Sequence, residues 1–177
     1  AGPAGLAAST LLAERGHAVT LFDAADEIGG QFNLAKRIPG KEEFYETLRY
    51  FARQIELHRV ELRLGQRVDA AALRQAGFDE VVIATGISPR PPAVEGIDHP
   101  KVVSYLEVIT GKVEVGHKVA IIGAGGIGFD VAELITHSGK SAALDIDVFA
   151  KEWGIDFANH PRGGVTGIEP QVARNDR

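Results

Sequence analysis

The chain has 177 residues, of which 45% are apolar and 24% charged, with a formal net charge of −5. That composition excludes an intrinsically disordered segment, and the net acidity speaks against a nucleic-acid footprint or a polybasic membrane patch. No apolar run approaches the roughly 18 residues of a membrane span, and the absence of cysteine removes disulfides, thiolate metal ligands and thiol redox pairs from this segment.

Methionine is absent too, and the chain opens in mid-motif with Ala1-Gly2-Pro3-Ala4-Gly5, so it reads as an internal piece of a longer protein. Pro3 to Arg15 carries Leu6, Leu11 and Leu12 among small alanines and meets Gly16, where a helix would stop. Ala18 to Asp23 is a β-branched and apolar run of strand length. Helix, tight turn and strand ending in an acid form the second half of a βαβ unit, whose first strand would precede Ala1. Residues 24 to 40 read as loop, punctuated by Gly29-Gly30 and Pro39-Gly40. From Lys41 to about His58, Phe44, Leu48, Phe51, Ala52 and Ile55 fall at the spacing of an amphipathic helix. Val60 to Leu64 alternates as a strand, and Ala70 to Gln75 reads as one or two helical turns.

Val81 to Ala84 is a continuous apolar run, the pattern of a strand buried on both faces. It leads into Thr85-Gly86 and a connector, Pro89-Arg90-Pro91-Pro92, that cannot be helical. Val119 to Ile122 repeats the buried-strand pattern directly before Gly123-Ala124-Gly125-Gly126-Ile127-Gly128, and helix is expected from there to about Thr136. Beyond Gly139 no period emerges, and that stretch, with Gly163-Gly164 and a polar tail, is left unassigned.

Gly2 and Gly5 supply the last two glycines of a G-x-G-x-x-G turn. In such a turn one glycine lets the backbone approach a pyrophosphate, another lets the helix pack on its strand, and the helix N-terminus offers free N–H groups. Pro3 has no N–H but suits the first helical turn, which leaves Ala4 as the expected donor to a phosphate oxygen. Asp23 stands about 20 residues further on at a strand end, where a carboxylate accepts from ribose hydroxyls and disfavours a 2′-phosphate. The first site therefore suits the ADP half of FAD or NAD. Gly123 to Gly128 is a complete G-x-G-x-x-G between a strand and a helix, the context that makes the match credible. The acid or arginine that would separate NAD from NADP would lie on a following strand that is not recognisable. Taken singly, each turn is also compatible with an unoccupied tight turn; their pairing, about 120 residues apart, selects two nucleotide-binding folds in series.

The fold class expected is therefore α/β: a Rossmann-like two-dinucleotide-binding flavoprotein fold, cut off at both ends. FAD would occupy the first fold and a nicotinamide cofactor the second, with Asp79 to Gly86 returning the chain to the FAD domain. Residues 1–112 would form the FAD-binding domain, lacking its first strand, and 113–177 the start of an NAD(P)H-binding domain with an irregular insertion. His17, His58, His99, His117, His137 and His160 show no ligand spacing and read as structural or surface residues. Tyr45, Tyr50 and Tyr105 read as packing residues, and Trp153 as an anchor in the inserted segment.

Asp26 to Phe44, reading DEIGGQFNLAKRIPGKEEF, closely resembles bacterial NADPH-dependent 2,4-dienoyl-CoA reductases. Val119 to Asp130 and Glu152-Trp153-Gly154-Ile155-Asp156 look like the same family, whose wider relatives are trimethylamine- and histamine-dehydrogenase-like members of the old-yellow-enzyme group. The resemblance implies a long cytoplasmic chain: an N-terminal barrel holding FMN, a [4Fe-4S] cluster on cysteines, and then this segment, with an acyl-CoA as substrate. Both the barrel and the cluster would lie upstream of Ala1, so no catalytic residue and no metal ligand is expected here. By position the resemblance implies that Ala4 meets the FAD pyrophosphate and Asp23 its ribose. Gly30, Gln31 and Lys41 would make further FAD contacts, Val68 would offer main chain to adenine, and Thr85-Gly86 would close the FAD domain. Gly123, Gly125, Gly126 and Gly128 would face the NADPH pyrophosphate. The alternative is a structural ADP-binding module of a trimethylamine-dehydrogenase-like amine dehydrogenase.

Overall fold

The computed structural model describes residues 1–158 and 169–171; His160, Gly163-Gly164 and most of the polar tail lie outside the described residues. The chain packs as two compact units, Ala1–Asn33 with Phe44–Ala93, and Leu34–Glu43 with Val94–Arg177. Residues 34–43 and 94–112 pack within the second unit.

In the first unit, helix α1 spans Pro3–Glu14, with Gly2 as an extended N-cap and no side-chain cap. It ends at Arg15, and Gly16 turns the chain at φ +94°, a conformation that suits glycine. Leu6 is fully buried at 0% exposure. The hydroxyls of Ser9 and Thr10 donate to its carbonyl at 3.1 and 2.9 Å, so neither buried polar group is left unsatisfied. Strand β1, Thr20–Phe22, pairs in parallel with β2, Glu61–Arg63, in the register Thr20 to Glu61. Between them come the one-turn helix α2, Phe32–Ala35, and α3, Phe44–Leu57. Ile55 of α3 and Val60 join Ala1 and Leu6 in the core, with Leu48, Phe51, Val19 and Leu21 packed around them. Helix α4, Ala70–Ala76, is capped by the Asp69 carboxylate and closed by Gly77 at φ +72°.

The second unit contains α5 (Tyr105–Ile109), α6 (Gly126–Thr136), a 3₁₀ turn (Ala142–Leu144) and α7 (Ile146–Trp153), of which α6 alone is among the elements expected above. The core is Ile38, Ile109, Val131 and Ile135, with Tyr105 packed against it. Ser104 and Glu107 form a reciprocal capping box at the start of α5, and Asp145 caps α7 through the N–H groups of Asp147 and Val148.

Two expected strands do not form. Val81 to Ala84 and Val119 to Ile122 carry no strand assignment, and Ile83 and Ile122 are 82% and 70% exposed. A strand buried on both faces exists only with hydrogen-bonded neighbours on its edges and helices over both faces. Among the described residues the sheet has two strands, and neither pairs with these runs. Tyr45 and Tyr50 also depart from the packing role expected of them: both are more than half exposed on the outer face of α3. Trp153 is 61% exposed, its ring 6.0 Å from that of Phe149.

Candidate functional site

The first glycine turn is built around the amino end of α1. Gly2 is extended (φ −79°, ψ −176°), and Leu6 is the first residue whose N–H returns to it, at 2.9 Å. The amides of Ala4 and Gly5 therefore lack intrahelical acceptors, and no side chain caps them. Ala4 is exposed and Gly5 buried. A Cβ on Gly5 would stand 3.4 Å from Leu21 and 3.8 Å from Ala84, so this glycine lets the helix lie close over β1 and the run leading to Thr85-Gly86. Thr85 and Gly86 are exposed, and Gly86 turns at φ +72°.

Asp23 follows β1 and folds back onto this turn. Its carboxylate accepts from the amino-terminal nitrogen of Ala1 and, at 2.9 Å, from the N–H of Ala25. Burial works to raise its pKa, but the hydrogen bond and charge of that terminal amino group, with the N–H groups of Ala25 and Ala24, outweigh it and hold the carboxyl below the ordinary aspartate range in this chain. The carbonyl of Asp23 accepts from Gln66 at 2.8 Å and that of Ala25 from Gly65 at 2.7 Å. This ties the loop leading to half-buried Val68 to the same corner. A second wall comes from Gly29-Gly30. The N–H of Gly29 donates to the Ala1 carbonyl at 2.8 Å, and a Cβ on Gly30 would lie 2.9 Å from the Gly2 Cα. Gln31, next in line, is exposed.

These residues fit a dinucleotide. Main-chain donors at an uncapped helix end, a second glycine wall packed so closely on Gly2 that a side chain at Gly30 would displace the turn, and a carboxylate at the same corner are the donor set a pyrophosphate and a ribose require. The structure brings Gly2, Ala4, Gly5, Asp23 and Gly30 together. Asn33 belongs to this corner as well, although sequence reasoning passes over it: its Nδ2 donates to the Ile28 carbonyl at 2.9 Å. The signal is a carboxamide four residues after a glycine that needs positive φ.

The second turn lies in the other unit. Gly123 adopts φ +115°, and Gly125 is the extended N-cap of α6 with no side-chain cap. A Cβ on Gly128 would come 2.4 Å from the Gly123 carbonyl oxygen, so only glycine lets α6 start beneath the turn. Gly126 opens the helix, and its amide and those of the next residues are uncapped as in α1. Lys41 is in this unit too, its Nζ 2.5 Å from the Asp130 carboxylate on α6. Sequence spacing gives no sign of that partner. A depression of about 520 Å³, lined by Pro39, Gly40, Glu133, Lys140 and Ser141 among others, contains none of the glycines of the turn.

The helix-over-parallel-strand arrangement with its phosphate turn is the Rossmann-like flavoprotein fold. The chain belongs to the family described as pyridine nucleotide-disulphide oxidoreductase, which matches residues 1–150. A domain of that family implies FAD and a nicotinamide nucleotide. It is 40% identical over 126 residues to N,N-dimethylglycine/sarcosine dehydrogenase of Chromohalobacter salexigens, covering 68% of this chain and 18% of that one. It is 33% identical to bilirubin reductase of Mediterraneibacter gnavus, covering 81% of this chain and 22% of that one. Among solved structures, a 2-naphthoyl-CoA reductase in complex with 2-naphthoyl-CoA is similar with a TM-score of 0.71 and 37% identity, over 76% of this chain and 20% of that one. The chain thus spans about a fifth of the length of these relatives. With no cysteine, it carries no redox disulphide despite the family's name.

Proposed function

We propose that the chain is the FAD-binding electron-transfer segment of an NADPH-dependent 2,4-dienoyl-CoA reductase. Residues 1–112 serve FAD and 113–177 begin the NADPH domain. Ala4 and Gly5 present N–H groups to the FAD pyrophosphate, Gly2 and Gly30 keep the cradle clear, and Asp23 holds the ribose. Gln31, Lys41, Val68, Thr85 and Gly86 complete the FAD contacts, and Gly123, Gly125, Gly126 and Gly128 face the NADPH pyrophosphate. Bound FAD would supply hydride acceptance from a reduced nicotinamide and onward electron transfer, toward a [4Fe-4S] cluster and FMN carried by the rest of a longer protein whose substrate is an acyl-CoA. The part of this segment is to bind and orient the nucleotides. The observation that carries the reading is the extended, uncapped start of α1 at Gly2 with Gly30 packed directly on it. The similarity to a reductase whose bound ligand is an aryl-CoA supports a thioester substrate.

A second reading is favoured by the 40% identity to an amine dehydrogenase: a structural module in which the first site holds ADP. Counting cofactors in the purified full-length protein separates the two. Two flavins per chain, one of them FAD, with bleaching by NADPH, is the expected result. One flavin plus extractable ADP overturns it in favour of the amine dehydrogenase.

A further inference from the structure

We infer that Asn33 is a positioning residue for the pyrophosphate end of the first site, its carboxamide clamping the Gly29-Gly30 wall against the Gly2 turn. Gly29 and Gly30 stand at φ +122° and +51°. Two adjacent glycines in such conformations have no intrinsic preference for them and lose much entropy on being ordered, so something outside the pair has to hold them. Asn33 does this from three directions. Its backbone N–H donates to the Gly30 carbonyl at 3.1 Å. Its side-chain Nδ2 donates to the Ile28 carbonyl at 2.9 Å, fixing the residue that enters the pair. Its amide plane lies against the face of Gly29: a Cβ there would stand 2.8 Å from both Nδ2 and Oδ1 and 2.9 Å from Cγ.

The wall so held is in direct contact with the phosphate turn. The Gly29 N–H reaches the Ala1 carbonyl at 2.8 Å, and at Gly30 there is no room for a methyl group before the Gly2 Cα. A shift of the wall of half an ångström is therefore felt by Gly2, the residue that aims the first amides of α1.

The ligand consequence rests on the reading of the first site given above; the clamp itself does not. In the full chain, Asn33→Asp keeps the shape but replaces the donor with an acceptor facing the Ile28 carbonyl, and Asn33→Leu keeps the bulk without polarity. Each variant is titrated with FAD and with NADPH, and amide hydrogen exchange is followed without nucleotide. Loss of one positioning hydrogen bond is expected to weaken FAD about tenfold or more while NADPH stays within about twofold. Exchange is expected to quicken in residues 28–33 and 1–6 and to stay unchanged in α3. FAD affinity within about twofold of wild type in both variants overturns the inference. So does parallel loss of both nucleotides with faster exchange throughout the first unit, which would mark a general stability role. If the wild-type chain takes up no FAD, the reading of the site fails, and exchange alone decides the clamp: unchanged protection at 28–33 overturns it.

Discussion

The two glycine turns share one backbone design and differ in what surrounds them. Both start a helix from an extended, uncapped glycine, at Gly2 for α1 and at Gly125 for α6. Around the first, Ala1 and Leu6 are buried, Asp23 returns from β1 to the turn, and Gly29-Gly30 closes a second side. Around the second, the apolar run that should enter the turn is exposed, and no acid follows on a strand among the described residues. A glycine motif therefore specifies a local turn, while the elements packed beside it decide whether that turn is one wall of a site or a free helix end.

The comparison breaks most sharply at the glycines. Gly128→Ala places a methyl 2.4 Å from the Gly123 oxygen, and Gly30→Ala places one 2.9 Å from the Gly2 Cα. Neither neighbour is a flexible side chain, so the backbone itself must move. We expect Gly128→Ala to weaken NADPH and Gly30→Ala to weaken FAD, each by about a hundredfold, or about 3 kcal/mol. Each should leave the other nucleotide unaffected in calorimetric titration; cross-effects of similar size would show that the turns are not independent.

Asp23→Asn comes next, with FAD affinity expected to fall about tenfold. Asp23 also gives the first unit a pH signature. With Ala1 as a free amino terminus, its folded pKa lies below that of the unfolded chain, so its contribution to stability is complete above the ordinary aspartate value and is lost as pH falls through the lower folded value. Urea unfolding followed across that acidic window should show a slope in wild type that is reduced in Asp23→Asn. An unchanged slope would mean that the hydrogen bonds at Asp23 do not persist in solution.

Ser104→Ala removes a capping box from the second unit and should cost about 1 kcal/mol, read as a lower urea midpoint with FAD binding intact. The smallest effect is expected from Lys41→Gln. Its ion pair with Asp130 involves a side chain that is 42% exposed, so the loss should stay below about 1 kcal/mol and shrink further in high salt. A salt-insensitive loss of FAD affinity beside it would support the proposed cofactor contact of Lys41, and unchanged FAD affinity would remove Lys41 from that set.

Much of the molecule is legible in one dimension where the physics is local. Helices α1, α3, α4 and α6 follow from a 3.6-residue period, a proline at the first turn and glycines that stop a helix, although α3 begins at Phe44 and not at the expected Lys41. Helix α5 was legible in principle, since Ser104 and Glu107 stand at capping-box spacing. The Asp23 corner was legible because a strand-end acid at a set distance from the turn is a property of the motif. By contrast, the partnership of Lys41 with Asp130, 89 residues apart, obeys no spacing rule.

From the amino-acid order alone come the helices, the two glycine turns, the carboxylate beside the first of them and the lack of any thiol. These depend on backbone dihedrals and hydrogen bonds between residues a few places apart. Tertiary packing decided that Val81 to Ala84 and Val119 to Ile122 lie exposed rather than in a sheet, that residues 34–43 belong with the second unit, and that Gly30 rests on Gly2. A strand needs partners that its own sequence does not contain, and a contact between distant backbones depends on everything folded around them.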